Sequence, residues 1–156
     1  PMLYETDVIT FIELANKHNV RMLLVGGGAV NFHGYQRHSA DVDFWFDTTK
    51  KNIANLIEVF QEMGFDISEL PADVKNGDQN ISIKFSPYQT LELISRFNPN
   101  KTFEEAWNDA VVGEIRDNNI ARYRVLSLED LVTSKIKSGR PKDLLDIQEL
   151  QRINKA

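Results

Sequence analysis

The sequence predicts a mixed α/β (α+β) fold, in which a mixed sheet is flanked by helices and the chain ends in helices. Three observations predict it. Segments with helical and strand periodicity alternate along most of the chain. A short continuous apolar run at residues 22–25 closes on three glycines and passes into a helix. After residue 127 only helix signals appear.

The elements follow in order. Residues 4–18 read as a helix, since Val8, Ile9, Phe11, Ile12 and Ala15 recur at three- and four-residue spacing, with Thr6 or Asp7 as a cap. Residues 22–25 suit a buried strand. Gly26, Gly27 and Gly28 form a turn, and residues 29–36 a short helix. Residues 42–46 are a second strand. Residues 50–63 form a helix with Ile53, Leu56, Ile57 and Phe60 on one face, ended by Gly64. The stretch 68–79, rich in Pro, Asp, Asn and Gly, reads as an exposed loop. Residues 81–85 and 90–94 alternate as strands around a turn containing Pro87. A short helix at 103–110 precedes a hairpin, 111–116 and 120–125, turning at Asp117-Asn118-Asn119. Ser127 caps a helix that Gly139 stops, and Pro141 opens the last helix.

The 156 residues match the usual size of one domain, so a single domain over 1–156 is expected. The chain has 23 acidic and 18 basic residues, a formal charge of -5. Whole-surface attraction for nucleic acid is therefore excluded, and any such contact needs a local basic patch. The absence of cysteine excludes disulfides, thiolate zinc sites and a cysteine nucleophile. Apolar runs fall far short of the ~20 residues a membrane helix needs, and Glu5 and Asp7 near the start are unlike a signal peptide. A cytoplasmic protein without membrane contact is the expectation. Pro1 before Met2 looks like a processing remnant.

The chemistry concentrates in residues 23–46. A strand turning on glycines into a helix lets a ligand approach bare backbone, and the helix start suits phosphate. The next strand carries Asp41 and Asp43. Residues two apart on a strand share a face, about 7 Å apart along it at ~3.3 Å per residue. Two carboxylates so placed can converge on a hard divalent cation such as Mg²⁺ or Mn²⁺. Glu92 interrupts the apolar run Leu91–Ile94; buried there, it is costly unless paired or metal-bound.

Gly26, Gly27, Ala29, Val30, His33, Gly34, Arg37, Asp41 and Asp43, with a later acid on another strand, resemble the nucleotidyltransferase superfamily that includes DNA polymerase β. The closer likeness is to small bacterial nucleotidyltransferases related to abortive-infection toxins and to minimal nucleotidyltransferases. Residues 128–131, Lys135 and 139–143 resemble their C-terminal signature, and residues 103–107 their middle segment. The likeness covers most of residues 20–150. It implies a nucleotidyltransferase-type sheet and transfer of a nucleoside monophosphate from an NTP to an acceptor hydroxyl on RNA, protein or a small molecule. It also implies two divalent metals on Asp41, Asp43 and Glu92, with Glu92 as metal ligand or base. Gly26, Gly27 or Gly28, Arg37, Lys135, Arg140 and Lys142 would contact the nucleotide. The glycine pair, Gly26-Gly27 or Gly27-Gly28, stays open, and Glu92 stands where close relatives often carry Asp. By analogy alone a toxin or modifying-antitoxin role is expected, with a surface patch, a second subunit of a homo-oligomer or a protein partner supplying recognition.

Each motif has a plainer reading. The glycines can be a tight turn, or with Asn31 a partial dinucleotide fingerprint. The aspartates can be solvated strand-edge charges. Arg37 can pair with an Asp on the surface, and Lys135, Lys137, Arg140 and Lys142 can complement a helix C-terminus, pairing with Asp143 and Asp146 on the helix surface. His33 is expected to be structural; Phe44, Trp45, Phe46 and Trp107 are expected in the core. A catalytically degenerate binding module is the alternative to an enzyme.

Overall fold

The computed structural model describes residues 3–39, 41–116 and 119–155, with backbone alone for residues 3–7. In chain order the elements are α1 (Leu3–Lys17), β1 (Met22–Val25), α2 (Gly26–Phe32), β2 (Asp41–Phe46), α3 (Lys50–Glu62), α4 (Ala72–Lys75), β3 (Ile81–Ser86), β4 (Gln89–Ile94), α5 (Phe103–Asp109), β5 (Val111–Arg116), β6 (Ile120–Val125), α6 (Leu128–Ser138) and α7 (Pro141–Ile153). The mixed α/β architecture with a helical end is therefore as expected. Among the described residues, no helix is long and apolar enough to cross a membrane.

All six strands join one sheet in the order β3-β4-β2-β1-β6-β5. β1 is antiparallel to β2 and parallel to β6, while β2 is parallel to β4. The two hairpins, β3–β4 and β5–β6, form the flanks. The antiparallel β1–β2 pair removes the dinucleotide reading of the glycines, because that fingerprint belongs to a parallel βαβ unit.

Strand periodicity divides the sheet into two faces. Phe44 and Phe46 point one way, Asp41, Asp43 and Trp45 the other. Phe44 meets Phe11 of α1 at 6.3 Å, and Phe11 meets Phe60 of α3 at 6.4 Å, so α1 and α3 cover the Phe44 face. On the opposite face Trp45 packs edge-on against Phe103 of α5 at 5.0 Å. Phe44, Trp45 and Phe46 are buried, as their apolar setting predicts. Trp107 is only half-buried, stacked on Phe103 and flanked by guanidinium groups.

Local signals explain the helix ends. Thr49 accepts a hydrogen bond from the Asn52 amide, and Thr102 and Glu105 form a capping box. Ser127 accepts from the Asp130 amide, and Gly139, in the left-handed region, ends α6.

Four expectations change. α2 starts at Gly26 itself and ends at Phe32, so the glycines form its first turn rather than a preceding loop, and residues 33–36 are not helical. Gly34, at φ 113, takes the chain out of the helix. The 68–79 stretch is no plain exposed loop: it holds α4, because Leu70 and Val74 (3% and 1% exposed) anchor it to the core. α1 begins at Leu3, which places Thr6 and Asp7 inside the helix rather than at its cap. Asp117 and Asn118 of the expected hairpin turn, and Pro1-Met2, lie outside the described residues.

Candidate active site

β2 sits between β1 and β4, and this position assembles the acidic cluster. Asp43 is level with Glu92 of β4 and with Val25 at the end of β1. Residues level with each other on adjacent strands share a face, and Asp41, two residues earlier, shares it too. One carboxylate oxygen from each of Asp41, Asp43 and Glu92 lies within 4.8 Å of the others. The Glu92 side chain thus interrupts its apolar run on the face that α1 and α3 leave uncovered.

Three like charges this close oppose one another. Burial, then Asp41, then Glu92 push the Asp43 carboxyl from its ordinary 3.8 up to about 6, against a smaller opposing pull from Lys142 and Lys135. Near neutral pH it is still mainly ionised, so the cluster is a concentrated negative site. The donor set is all oxygen and anionic, the chemistry that Mg²⁺ and Mn²⁺ select. The residues present therefore fit a divalent cation.

The glycines lie against this cluster for steric reasons. A Cβ on Gly26 would stand 2.5 Å from Asp43 Oδ2, and Gly26 has φ 60. A Cβ on Gly27 would stand 2.5 Å from Ser39 Oγ. A Cβ on Gly28 would instead meet Leu24 of the core at 2.9 Å. Gly26 thus lies against the acidic site, and Gly27 against Ser39 and Arg37. Ser39, which no sequence signal singles out, donates its hydroxyl to the Asp41 carbonyl at 2.9 Å and so fixes the start of β2.

The basic residues lie on the same side of the molecule, but most are engaged. Arg37 donates two hydrogen bonds to Asp146, at 2.9 and 3.0 Å. Lys135 reaches Asp146 at 2.9 Å and Asp143 at 3.3 Å. Arg140 donates to Asp143 at 2.6 and 3.1 Å. Asp143 and Asp146 are 0% and 2% exposed, and Lys135 7%, so the Lys135 pairs are interior, whereas the Arg140 side chain is exposed and meets Asp143 from the surface. Burial pushes Asp143 up, but Arg140 and Lys135 outweigh it and hold it below the ordinary carboxylate value. Lys142 is exposed, and its charge acts on Asp43. His33 is structural: its Nε2–H donates to the Leu126 carbonyl at 2.8 Å.

A family model described as "nucleotidyltransferase of unknown function" (DUF6036) matches residues 6–156. No curated protein matches the chain significantly. Among solved structures, the chain is similar to the crystal structure of the lincosamide antibiotic adenylyltransferase LnuA bound to lincomycin. The TM-score is 0.59 at 20% identity, over 96% of this chain and 98% of that one. At that identity the likeness carries the fold. The family match carries more, because it runs from within α1 through the end of α7 and takes in every strand. The chain belongs to this nucleotidyltransferase family.

Proposed function

We propose that the protein is an active, metal-dependent nucleotidyltransferase, transferring a nucleoside monophosphate from an NTP to an acceptor hydroxyl. The single observation that carries the reading is the convergence of Asp41, Asp43 and Glu92 within 4.8 Å beside Gly26, the first residue of α2. Asp41, Asp43 and Glu92 would hold Mg²⁺ or Mn²⁺. When bound, such ions supply neutralisation of triphosphate charge and a lowered pKa for the acceptor hydroxyl.

The chain's own residues do the rest. Gly26 and Gly27 would offer backbone N–H groups at the start of α2 to the triphosphate. Lys142, exposed and electrostatically coupled to Asp43, meets phosphate as a mobile point charge. In the transfer, the acceptor oxygen forms a bond to the α-phosphorus and the bond to the β-phosphate oxygen breaks. Pyrophosphate leaves, and the hydroxyl proton passes to Glu92 where that carboxylate acts as base instead of metal ligand. Arg37, Lys135 and Arg140 hold the adjoining helices through Asp143 and Asp146, and contribute positive potential. A small-molecule hydroxyl is the acceptor class we favour, since the structurally similar LnuA is an adenylyltransferase for an antibiotic.

A second reading has its own observation. Three of the four candidate phosphate-binding cations are bound to Asp143 and Asp146, which favours a binding module without turnover. Incubation with labelled NTPs and Mg²⁺ or Mn²⁺ separates the two. Label transfer to small-molecule, RNA or protein acceptors that is lost in Asp41→Asn supports the enzyme. Metal-dependent NTP binding with no transfer to any acceptor supports the module.

A further inference from the structure

A cavity of about 880 Å³ opens at the end of the sheet opposite the carboxylates. The register places it there. The acidic cluster is level with Val25, the last residue of β1, whereas the cavity is lined by Arg21 and Met22 at its start, Thr49 beyond β2, and Arg122 and Arg124 of β6. Three strand steps separate the two ends, about 10 Å.

The charge of this cavity runs against that of the chain. Lys17, Arg21, Lys51, Arg122 and Arg124 line it, with Glu58 the sole lining carboxylate, in a protein of net charge -5. Part of that charge is answered. Lys17 pairs with Glu62, and Arg21 with Asp47 and Glu104. The rest is not. Among the described residues Lys51 has no ion-pair partner, and neither has Arg124. The Arg124 guanidinium lies 3.9 Å from the Trp107 ring centroid and donates to the Trp107 carbonyl at 3.1 Å, which fixes it with donors to spare. Arg122 comes no nearer than 3.8 Å to Glu114 and is 70% exposed.

A separate feature points the same way. The first turn of α3 holds Lys50 and Lys51 and no acid, at a helix end whose partial positive charge ordinarily attracts carboxylates. Thr49 and Lys51 at that end line the cavity. Two lysines there raise the positive potential where an anion would relieve it.

We propose that this cavity is a second ligand site, taking a small molecule with two or more phosphate groups. Lys51, Arg122 and Arg124 meet the phosphate oxygens, and Trp107 holds the Arg124 guanidinium in place. Nucleic acid fits less well, because Glu58, Glu62, Glu104 and Glu114 around the cavity repel a long polyanion that must pass them.

The test uses the full chain in EDTA, so that the carboxylate cluster plays no part, with inorganic tripolyphosphate followed by titration calorimetry. Saturable binding that weakens about fivefold in Lys51→Gln and again in Arg122→Gln is expected, as both side chains are exposed and their loss leaves the fold unchanged. Asp41→Asn should bind as the parent does. No saturable binding at millimolar tripolyphosphate overturns the site, as does binding indifferent to both substitutions. A single-stranded oligonucleotide bound more tightly than tripolyphosphate, and sensitive to the same substitutions, overturns the small-molecule assignment. None of these outcomes bears on metal-dependent transfer at the other end of the sheet.

Discussion

Replacing Asp43 by Asn removes one of three negative charges held within 4.8 Å of one another and keeps the side chain's shape. The structure sets the size of the effect. Lifting a carboxyl from 3.8 to about 6 corresponds to roughly 3 kcal/mol at 1.36 kcal/mol per pH unit. The group is partly exposed, so solvent screening reduces this to about 1–2 kcal/mol. In EDTA at neutral pH, Asp43→Asn should therefore be more stable than the parent, by roughly 2–8 °C in Tm for a domain of this size. Divalent metal should reverse the order. The parent gains about 2.7 kcal/mol at a hundredfold excess over Kd, whereas the variant, short of one anionic ligand, gains little. Thermal melts followed by circular dichroism, with and without Mn²⁺, read both effects. A variant that is no more stable in EDTA and responds to Mn²⁺ like the parent refutes the metal site and the electrostatic reasoning together.

The same carboxyl fixes a pH dependence. A raised folded pKa means the proton binds more tightly in the folded state, so without metal its contribution to stability is full below pH 3.8 and lost as pH rises through about 6; denaturant titrations across that window should show the loss in the parent and not in Asp43→Asn. With Mn²⁺ present, the metal-induced rise in Tm should be largest above pH 6 and fade below it, as protons compete for the ligand. Asp146→Ala should destabilise by about 2–3 kcal/mol, because Arg37 loses its carboxylate and Lys135 keeps Asp143 alone; urea unfolding checks it. Gly26→Ala should cost about 2 kcal/mol, since an L-residue at φ 60 is strained and its Cβ meets Asp43 at 2.5 Å; a lower Tm in EDTA together with weaker Mn²⁺ stabilisation is the expected result.

What could be read from the sequence was what is written in neighbouring residues. β1 and β2 are legible as apolar runs, and α6 as a Ser127 cap closed by Gly139, because caps and periodicity act over a few positions. Asp41 and Asp43 share a face by strand geometry alone. Glu92 stands out locally as an acid in an apolar run, but its register level with Asp43 is hidden, since the parallel β2–β4 pairing joins segments separated by α3 and α4. The interior position of Asp143 and Asp146 was hidden for a similar reason. Arg37, the partner of Asp146, is 109 residues away from it, and Asp143, whose partners Arg140 and Lys135 are near in sequence, looks on the helix alone like a surface acid. α4 was missed because composition near Pro71 and Gly77 speaks of a loop, while Leu70 and Val74 find the core only in three dimensions. The basic cavity draws its residues from α1, α3 and β6, and no linear motif records such a meeting.

The bond between Arg37 and Asp146 also has a consequence for how the protein is made. Arg37 stands just ahead of the aspartates, and its anchor is reached only when synthesis has passed residue 146. A chain cut short before residue 146 therefore holds its acids and glycines without the brace that steadies the segment leading into β2. The stretch of α7 up to Asp146 is then what steadies the approach to the acidic cluster, and chains that stop ahead of it should melt at lower temperature than chains that include it.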